Sequence, residues 1–281
     1  MQLCYKPWAK TEKQNGRRRS RWMEINIKAV FFDVDGTLIS HKDGGVPEST
    51  KEALRLLKKR GIKVVVATGR HTIELEALPV RDLEFDGYVV LNGQLCLDGE
   101  GNTIYDEPIC KEGADTILEI FKRREIPVSM VEKDRIYVNF VNDLLRRRQK
   151  EILSPVPEVA EYHGGKIYQC CMYVEEPQMR EIEKKLRFCR ATQWNDAAYD
   201  IIAEEAGKRK GIEAFLKHYS ISPKEIMAFG DGENDIDMLL YAQIGVAMGN
   251  ANDKVKEAAD YVTDRVDKEG IKKALEEYGV I

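Results

Sequence analysis

Two aspartates spaced one residue apart follow a short apolar run near the start of the chain. The run ends in two phenylalanines, and Asp33 and Asp35 come directly after it. At strand spacing both carboxylates point the same way, so both can reach one site beyond the strand. Two acids held close together repel each other unless a cation or a proton lies between them. The pair therefore predicts a metal site, an acid–base pair, or both.

Three further polar groups follow predicted strands or precede a predicted helix. They are Thr68-Gly69-Arg70, Lys208-Arg209-Lys210-Gly211, and Gly230-Asp231-Gly232-Glu233-Asn234-Asp235. In open α/β sheets, ligands bind beyond the carboxyl ends of the strands. Together these groups offer an acidic metal site flanked by donors for an anion. That combination fits phosphoryl transfer, in which positioning and charge neutralisation dominate catalysis.

The elements that must position these groups alternate between strand and helix over residues 23–93 and again over residues 195–281. Glu48 to Arg60 has apolar residues at helical spacing, and Ile62 to Ala67 and Tyr199 to Ala203 are predicted strands of this unit. This alternation predicts an α/β fold with a parallel sheet. Residues 94–194 instead carry hairpin signals between amphipathic helices, which is typical of an α+β unit. We predict a core domain with this second domain inserted into it.

Composition bounds the function. The chain has 281 residues, 33% of them charged, and a formal net charge of −4, so nothing favours nucleic acid or an anionic membrane as a partner. No apolar stretch approaches the roughly 20 residues of a spanning helix. The six cysteines show no metal spacing, and we interpret them as reduced structural thiols. We expect a soluble cytoplasmic protein without an obligatory protein partner.

The first 22 residues differ in charge from the rest of the chain. They hold seven basic residues and one acid, Glu12, and lack an apolar core for a secretory signal. We expect a loosely ordered basic extension over residues 1–22. Met23 lies just before the first predicted strand, so our hypothesis is that translation naturally starts there. N-terminal mass analysis of the native protein tests it.

The polar groups together resemble the motifs of the haloacid dehalogenase superfamily. Asp33-Val34-Asp35-Gly36-Thr37 resembles its first motif, Thr68-Gly69-Arg70 its second, Lys210-Gly211 its third, and Gly230 to Asp235 its fourth. Too few residues separate the first two motifs to hold a second domain, whereas the gap between the second and third is long. That placement resembles the Cof-type phosphatases, and it implies a Rossmann-like core with an inserted α+β cap that covers the site.

The resemblance implies roles for the residues that match the motifs. Asp33 would attack phosphorus and form an aspartyl-phosphate, and Asp35 would act as general acid and then as general base. Mg²⁺ would be held by the Asp33 and Asp231 carboxylates and the Asp35 carbonyl, with Asp235 orienting a bound water or the lysine. The phosphate would be held by Thr68, Gly69, Lys210 and Asn234.

Several assignments leave an alternative open. Lys208 also precedes the helix, and we prefer Lys210 because a glycine follows it. Thr68 could instead cap the next helix, and Asp235 could be a simple first-turn acid. The function that the resemblance implies is a Mg²⁺-dependent phosphatase acting on small phosphorylated metabolites, most plausibly sugar phosphates. The alternatives are a phosphosugar mutase on the same core and a non-catalytic binding or regulatory protein.

Overall fold

The computed structural model describes residues 26–40, 42, 44–152 and 154–281. The predicted basic extension over residues 1–22 and the proposed start at Met23 lie outside this part of the chain. Along the described chain, no helix combines the length and the apolar character that crossing a membrane requires.

Strands and helices follow one another in three stretches of chain. The first holds β1 (Ala29–Phe32), α1 (Glu48–Lys59), β2 (Lys63–Ala67), α2 (Thr72–Leu75), β3 (Gly87–Val90), β4 (Leu95–Asp98) and β5 (Thr103–Asp106). The second holds α3 (Lys111–Arg123), β6 (Val128–Val131), β7 (Ile136–Val138), α4 (Asp143–Glu151), β8 (Glu158–Val159), β9 (Gln169–Met172), α5 (Glu176–Glu183), β10 (Cys189–Asn195) and β11 (Ala198–Ala203). The third holds α6 (Lys208–Tyr219), β12 (Ile226–Gly230), α7 (Ile236–Tyr241), β13 (Ile244–Ala247), α8 (Asp253–Ala258), β14 (Tyr261–Val262) and α9 (Gly270–Glu277).

The first and third stretches build one sheet, with the strand order β14-β13-β12-β1-β2-β3-β4-β5 among the described residues. Every pairing from β14 to β3 is parallel, and only β4 and β5 are added antiparallel. The parallel α/β prediction is therefore confirmed. β1 lies in the middle of this sheet, and helices cover both faces of the sheet.

The two faces of β1 explain its uninterrupted apolar sequence. Val30 and Phe32 pack on the side of α1 and α9, whereas Ala29 and Phe31 pack on the side of α6 and α7. All four of these side chains are fully buried. A strand buried on both faces cannot alternate between apolar and polar residues.

The second stretch builds a separate sheet, with the order β10-β11-β9-β6-β7-β8 in the described chain. Its helices α3 and α5 contribute Ile117, Phe121, Met179 and Ile182 to one face. We call residues 107–206 the cap, because they hold this sheet and its helices and lie between β5 and α6.

The sheet pairings move both predicted boundaries of the inserted unit. The predicted insertion begins at residue 94 and so includes the hairpin β4–β5, but β4 pairs with β3 of the first sheet. The prediction also places the strand Tyr199 to Ala203 in the core, but β11 pairs antiparallel with β9 and β10. A two-residue turn at Asp196 and Ala197 makes β10 and β11 one hairpin, and the predicted boundary at residue 194 cut through it.

Candidate active site

Four adjacent strands of the first sheet end at the same edge and deliver polar residues there. Asp231 follows β12, Asp33 follows β1, Thr68 follows β2, and Asn92 comes shortly after β3. The hydrogen bonding between β1 and β12 continues past the end of β1, where the Asp33 amide donates to Phe229 O at 3.0 Å. The parallel arrangement thus brings residues far apart in sequence to one site.

Three carboxylates cluster at this edge. One oxygen each from Asp33, Asp231 and Asp235 lies within 4.8 Å of the other two. Asp33 and Asp235 are buried, and Asp231 is partly exposed. Burial raises the pKa of Asp33 well above its usual range, Lys208 opposes this shift, and the neighbouring carboxylates add to it. The neighbouring carboxylates therefore disfavour one another's negative charge.

Lys208 is the cation inside this cluster. Its Nζ donates to Asp33 Oδ1 at 2.6 Å and also to Asp235 Oδ1. The side chain is fully buried. Burial opposes its positive charge, but the Asp235 and Asp33 carboxylates outweigh that effect and raise the pKa of Lys208. Lys208 is therefore held as a buried ammonium beside the first aspartate.

The structure corrects the choice of Lys210 for this position. Lys210 Nζ bonds instead to Glu107, at 3.1 Å from Oε2, and both side chains are partly exposed. Residues two apart on a helix are turned about 200° from each other, so only one of the two lysines can face the cluster. The glycine that favoured Lys210 serves packing: a Cβ at Gly211 would lie 2.5 Å from Val89 Cγ1.

The remaining members of the cluster are held by hydrogen bonds. Asp235 Oδ2 accepts from the amides of Asp231 and Gly232 at 2.9 and 2.8 Å, so Asp235 is tied to both its own loop and Lys208. Asp231 accepts from Thr37 Oγ1 at 3.1 Å and from Asn250 Nδ2 at 3.0 Å. The sequence motifs assign no role to Asn250. Its position beyond β13, at the same edge of the sheet, is the feature that could have indicated a place in the site.

Gly36 is required for the approach of the two acidic loops. Its φ is +78°, and a Cβ at this position would lie 2.1 Å from Asp231 Oδ2. Glycine alone combines the left-handed backbone with the absent side chain. The Gly36 carbonyl also accepts from Asn250 Nδ2 at 2.8 Å, so this turn and Asp231 share one partner.

The Asp35 side chain does not join the carboxylate cluster. Both of its oxygens are bound by Arg70, through Nε at 2.6 Å and Nη2 at 2.8 Å. The same guanidinium donates to two cap groups, Ile152 O at 3.2 Å and Ser154 Oγ at 3.0 Å. Arg70 therefore links the second aspartate to the end of α4.

A line of amides runs from the site to the cap. Asn234 Nδ2 donates to Asn92 Oδ1 at 3.2 Å, and Asn92 Nδ2 donates to Gln169 Oε1 on β9 at 3.4 Å. Thr68 is buried beside this line, and a Cβ at Gly69 would lie 3.1 Å from the Asn92 amide. Gly69 thus leaves backbone open to the site.

The alternative that Thr68 caps the next helix does not match the structure. Thr68 Oγ1 accepts from the Arg70 amide at 3.2 Å. The cap of α2 is His71, whose Nδ1 accepts from the Ile73 amide at 3.0 Å. His71 Nε2 lies 2.9 Å from the carbonyl of Lys133 in the cap, and burial lowers the pKa of this histidine.

The donor set fits a hard divalent cation. It consists of carboxylate oxygens, which are the ligands that Mg²⁺ prefers, and it lies in a partly buried cleft beside Lys208. Three acids so close repel one another, and a divalent cation would relieve that repulsion. Asp235 also bonds to Lys208 and to the amides of Asp231 and Gly232, so it is tied to the protein on both of its oxygens.

Comparisons with known proteins agree on one family. A model of the haloacid dehalogenase-like hydrolases matches residues 30–275. The chain is 31% identical over 262 residues to a Streptococcus pyogenes protein named "Putative bifunctional phosphatase/peptidyl-prolyl cis-trans isomerase", and it spans 54% of that protein. It is 28% identical over 260 residues to "Putative phosphatase YkrA" of Bacillus subtilis; that match covers 92% of this chain and 100% of YkrA.

Solved structures show the same likeness. BT1666 from Bacteroides thetaiotaomicron, a phosphatase of this superfamily, is 33% identical with a TM-score of 0.82, covering 96% of this chain and 100% of that chain. BT4131, described as a subclass IIB sugar phosphatase, is 36% identical with a TM-score of 0.79, covering 90% of this chain and 100% of that chain.

Proposed function

This chain belongs to the haloacid dehalogenase-like hydrolases and is a phosphatase, and from that premise we propose a reaction and a substrate class. The proposed reaction is Mg²⁺-dependent hydrolysis of small phosphorylated metabolites, with sugar phosphates as the substrate class, through an aspartyl-phosphate. The observation that carries the proposal is the buried contact of Asp33 with Lys208, beside Asp231 and Asp235. It combines a nucleophile, a fixed positive charge and a metal-binding donor set.

The residues that would hold Mg²⁺ are Asp33 and Asp231, through their carboxylates, and Asp35, through its backbone carbonyl. Asp235 supports them by fixing Lys208 and the amide of Asp231. When bound, Mg²⁺ supplies positive charge that neutralises the phosphate oxygens and the nucleophile.

In the first half of the reaction, an Asp33 carboxylate oxygen attacks phosphorus. The bond between phosphorus and the ester oxygen breaks, and Asp35 in its protonated state gives that oxygen a proton. Lys208 stays charged beside Asp33 and stabilises the negative charge of the transferring group. Thr68, the Gly69 backbone and Asn234 orient the phosphate oxygens.

In the second half, Asp35 takes a proton from water, and the water oxygen attacks phosphorus. The bond between phosphorus and Asp33 breaks, which releases inorganic phosphate and restores the carboxylate. Arg70 holds both oxygens of Asp35 in this structure, so this contact must loosen for either proton transfer. Because Arg70 also contacts Ile152 and Ser154, movement of the cap is the event that we expect to loosen it.

The cap faces the site across a shared cavity. One cavity reaches from Asp33 and Lys208 at the sheet edge to Ser129 and Asp200 on the cap sheet. A substrate enclosed there is shielded from bulk water during transfer. Because BT4131 is described as a sugar phosphatase, sugar phosphates are the substrate class to test first.

We also propose that the protein works in a reducing compartment. Cys96, Cys170 and Cys171 are free and buried, which supports a reducing compartment such as the cytoplasm. Burial raises the pKa of Cys170 and Cys171 well above the usual range, so these thiols are poor nucleophiles.

A substrate screen tests the proposal. Phosphate release would be measured over sugar phosphates, nucleotides, flavin mononucleotide, pyridoxal phosphate and p-nitrophenyl phosphate, each with Mg²⁺ or with EDTA. We expect turnover of sugar phosphates with Mg²⁺ and none with EDTA. Turnover that persists in EDTA would refute the metal requirement, and a clear preference for nucleotides would refute the substrate class.

A further inference from the structure

A row of small and polar side chains crosses the inner face of the cap sheet. Ser129 on β6 pairs with Cys171 on β9, and Cys171 pairs with Asp200 on β11. Neighbouring strands lie about 4.8 Å apart, so this row spans roughly 10 Å. That length matches a small organic molecule rather than a single ion.

The row faces the cavity because the opposite face of the sheet is already covered. The residues that alternate with it, Val128, Met130, Cys170 and Ile201, pack with the helices of the cap. Side chains of successive strand residues point to opposite faces. Ser129, Cys171 and Asp200 accordingly line the cavity that ends at Asp33.

Two polar atoms beside this row lack a hydrogen-bond partner among the described residues. They are Ser129 Oγ and Gln149 Oε1, and their residues are 2% and 6% exposed. The Ser129 hydroxyl does lie close enough to Tyr173 to act against the raised pKa of that phenol, so Gln149 Oε1 is the clearer of the two unpaired atoms. The Gln149 amide nitrogen is engaged, since it donates to Tyr173 OH at 2.7 Å. A buried polar atom without a partner is costly, and such atoms in a ligand cavity are normally satisfied by the ligand.

Asp200 adds an acidic group to the row. Burial raises its pKa to about 7, and the nearby charge of Glu74 acts in the same direction. Hydrogen bonding from the Trp194 and Cys171 side chains and the charge of Arg70 oppose this shift. At neutral pH both the neutral and the charged form of Asp200 are therefore present; either form exchanges hydrogen bonds with hydroxyl groups, and the charged form repels a second anion.

The arginines that line the same cavity are already committed. Arg70 is bound to Asp35 and to Ile152 O. Arg190 donates to Ala206 O at 2.8 Å and to Thr192 Oγ1 at 3.0 Å. Arg209, which also lines the cavity, donates to Glu213 at 2.7 Å. Among the described arginines of this cavity, none is therefore free to compensate a second phosphate or a carboxylate beside Asp200.

We propose that Ser129, Gln149 and Asp200 form a specificity subsite that binds the hydroxyl groups of an uncharged polyol leaving group and disfavours leaving groups with a second anion. The subsite rests on the proposed function, because it defines the leaving group only when the phosphate lies at Asp33. It also bears on the alternative of a phosphosugar mutase. A mutase must hold a bisphosphorylated sugar, which this subsite repels.

The test compares substrates that share the phosphate site and differ at the subsite. The panel holds hexose and hexitol monophosphates, fructose 1,6-bisphosphate, and p-nitrophenyl phosphate, whose leaving group has no polyol hydroxyls. For the wild type we expect kcat/KM for the best monophosphate to exceed that for the bisphosphate by about tenfold or more.

The variant Asp200→Asn removes the charge and keeps the size. It should lower kcat/KM for the best polyol monophosphate by about tenfold, mainly by raising KM. It should also reduce the ratio of kcat/KM for the monophosphate to kcat/KM for the bisphosphate. Activity on p-nitrophenyl phosphate should stay within about twofold. Ser129→Ala, which removes one hydroxyl, should show a smaller loss of the same selective kind. Asp115→Asn, on the exposed side of α3, is the matched control.

The outcomes separate the subsite from the reaction. An equal fall on p-nitrophenyl phosphate and on the polyol substrates, or no fall on either, would overturn the subsite. A wild type that prefers the bisphosphate would also overturn it. A wild type inactive on every ester, p-nitrophenyl phosphate included, would refute the proposed function itself and the subsite with it.

Discussion

The edge of the core sheet and the inner face of the cap sheet are both polar, but they are polar in different ways. At the core edge, Lys208 donates to both Asp33 and Asp235 and joins them in a closed network. On the cap, Ser129 Oγ and Gln149 Oε1 lack partners among the described residues. A closed network is preorganised for one chemical step. Unpaired atoms on a facing surface await a ligand, so the two regions divide chemistry from selection.

The most severe test of this division is the loss of the nucleophile. We expect Asp33→Asn to lower kcat by about 10⁴-fold or more on every substrate, because no other group can form the covalent intermediate. Phosphate release by the purified variant measures this, with circular dichroism to show that it is folded. Residual turnover within about tenfold of the wild type would contradict the role of Asp33.

The two lysines of α6 form the next comparison. Lys208→Met should lower kcat by about 10²–10³-fold. It should also destabilise the fold by about 3–5 kcal/mol, because it leaves Asp33 and Asp235 buried without their cation. Lys210→Met removes only a partly exposed pair with Glu107, so kcat should stay within about twofold. Kinetics and urea unfolding of both variants check this, and the reverse ranking would restore the sequence-based choice of Lys210.

A pair of glycines tests how closely the core edge is packed. Gly36→Ala places a Cβ against Asp231 and should raise the Mg²⁺ concentration for half-maximal activity about tenfold. Gly61→Ala shares the cost of a positive φ, at +72°, but has no atom within 4 Å of the new Cβ. Its Mg²⁺ dependence should match that of the wild type. Equal Mg²⁺ dependence of the two variants would show that Asp231 tolerates displacement.

The smallest expected effect concerns the stability of the cap. The pKa of Asp200 is raised to about 7 in the folded protein, so the folded state binds more protons than the unfolded state between about pH 4 and pH 7. The contribution of Asp200 to the free energy of unfolding therefore falls as pH rises through that window. The Asp200→Asn variant has no titrating carboxyl group at this position, so it does not lose this stability as pH rises. Its Tm should therefore exceed that of the wild type by a few degrees at pH 8.

Low pH provides the reference for comparing the Tm of the wild type with that of Asp200→Asn. Below about pH 3 Asp200 is mostly protonated in both states, so the Tm difference should shrink to a small constant there. Glu74, Arg70, Trp194 and Cys171 face Asp200 and are unchanged in the variant. A Tm difference that does not vary between pH 4 and pH 8, measured by calorimetry, would contradict the raised pKa.

Much of the core could be predicted because its signals are local. The apolar run before Asp33 reflects a strand covered on both faces, and the alternation of strand and helix determines a parallel sheet. The boundaries of the inserted unit could not be predicted in the same way. The hairpin β4–β5 has the same local pattern whether it joins the first or the second sheet. Only its pairing with β3 decides the matter.

The sequence by itself determined which chemical groups the protein possesses and in which order they meet the ends of its strands. Asp33, Thr68 and Asp231 follow apolar runs, and a parallel sheet brings such positions together. The tertiary structure alone decided which lysine serves the site, because 200° of helical rotation separates Lys208 from Lys210 and packing against β3 selects between them. It also placed Ser129, Cys171 and Asp200 in one row, since strand pairing depends on hydrogen bonds between distant segments.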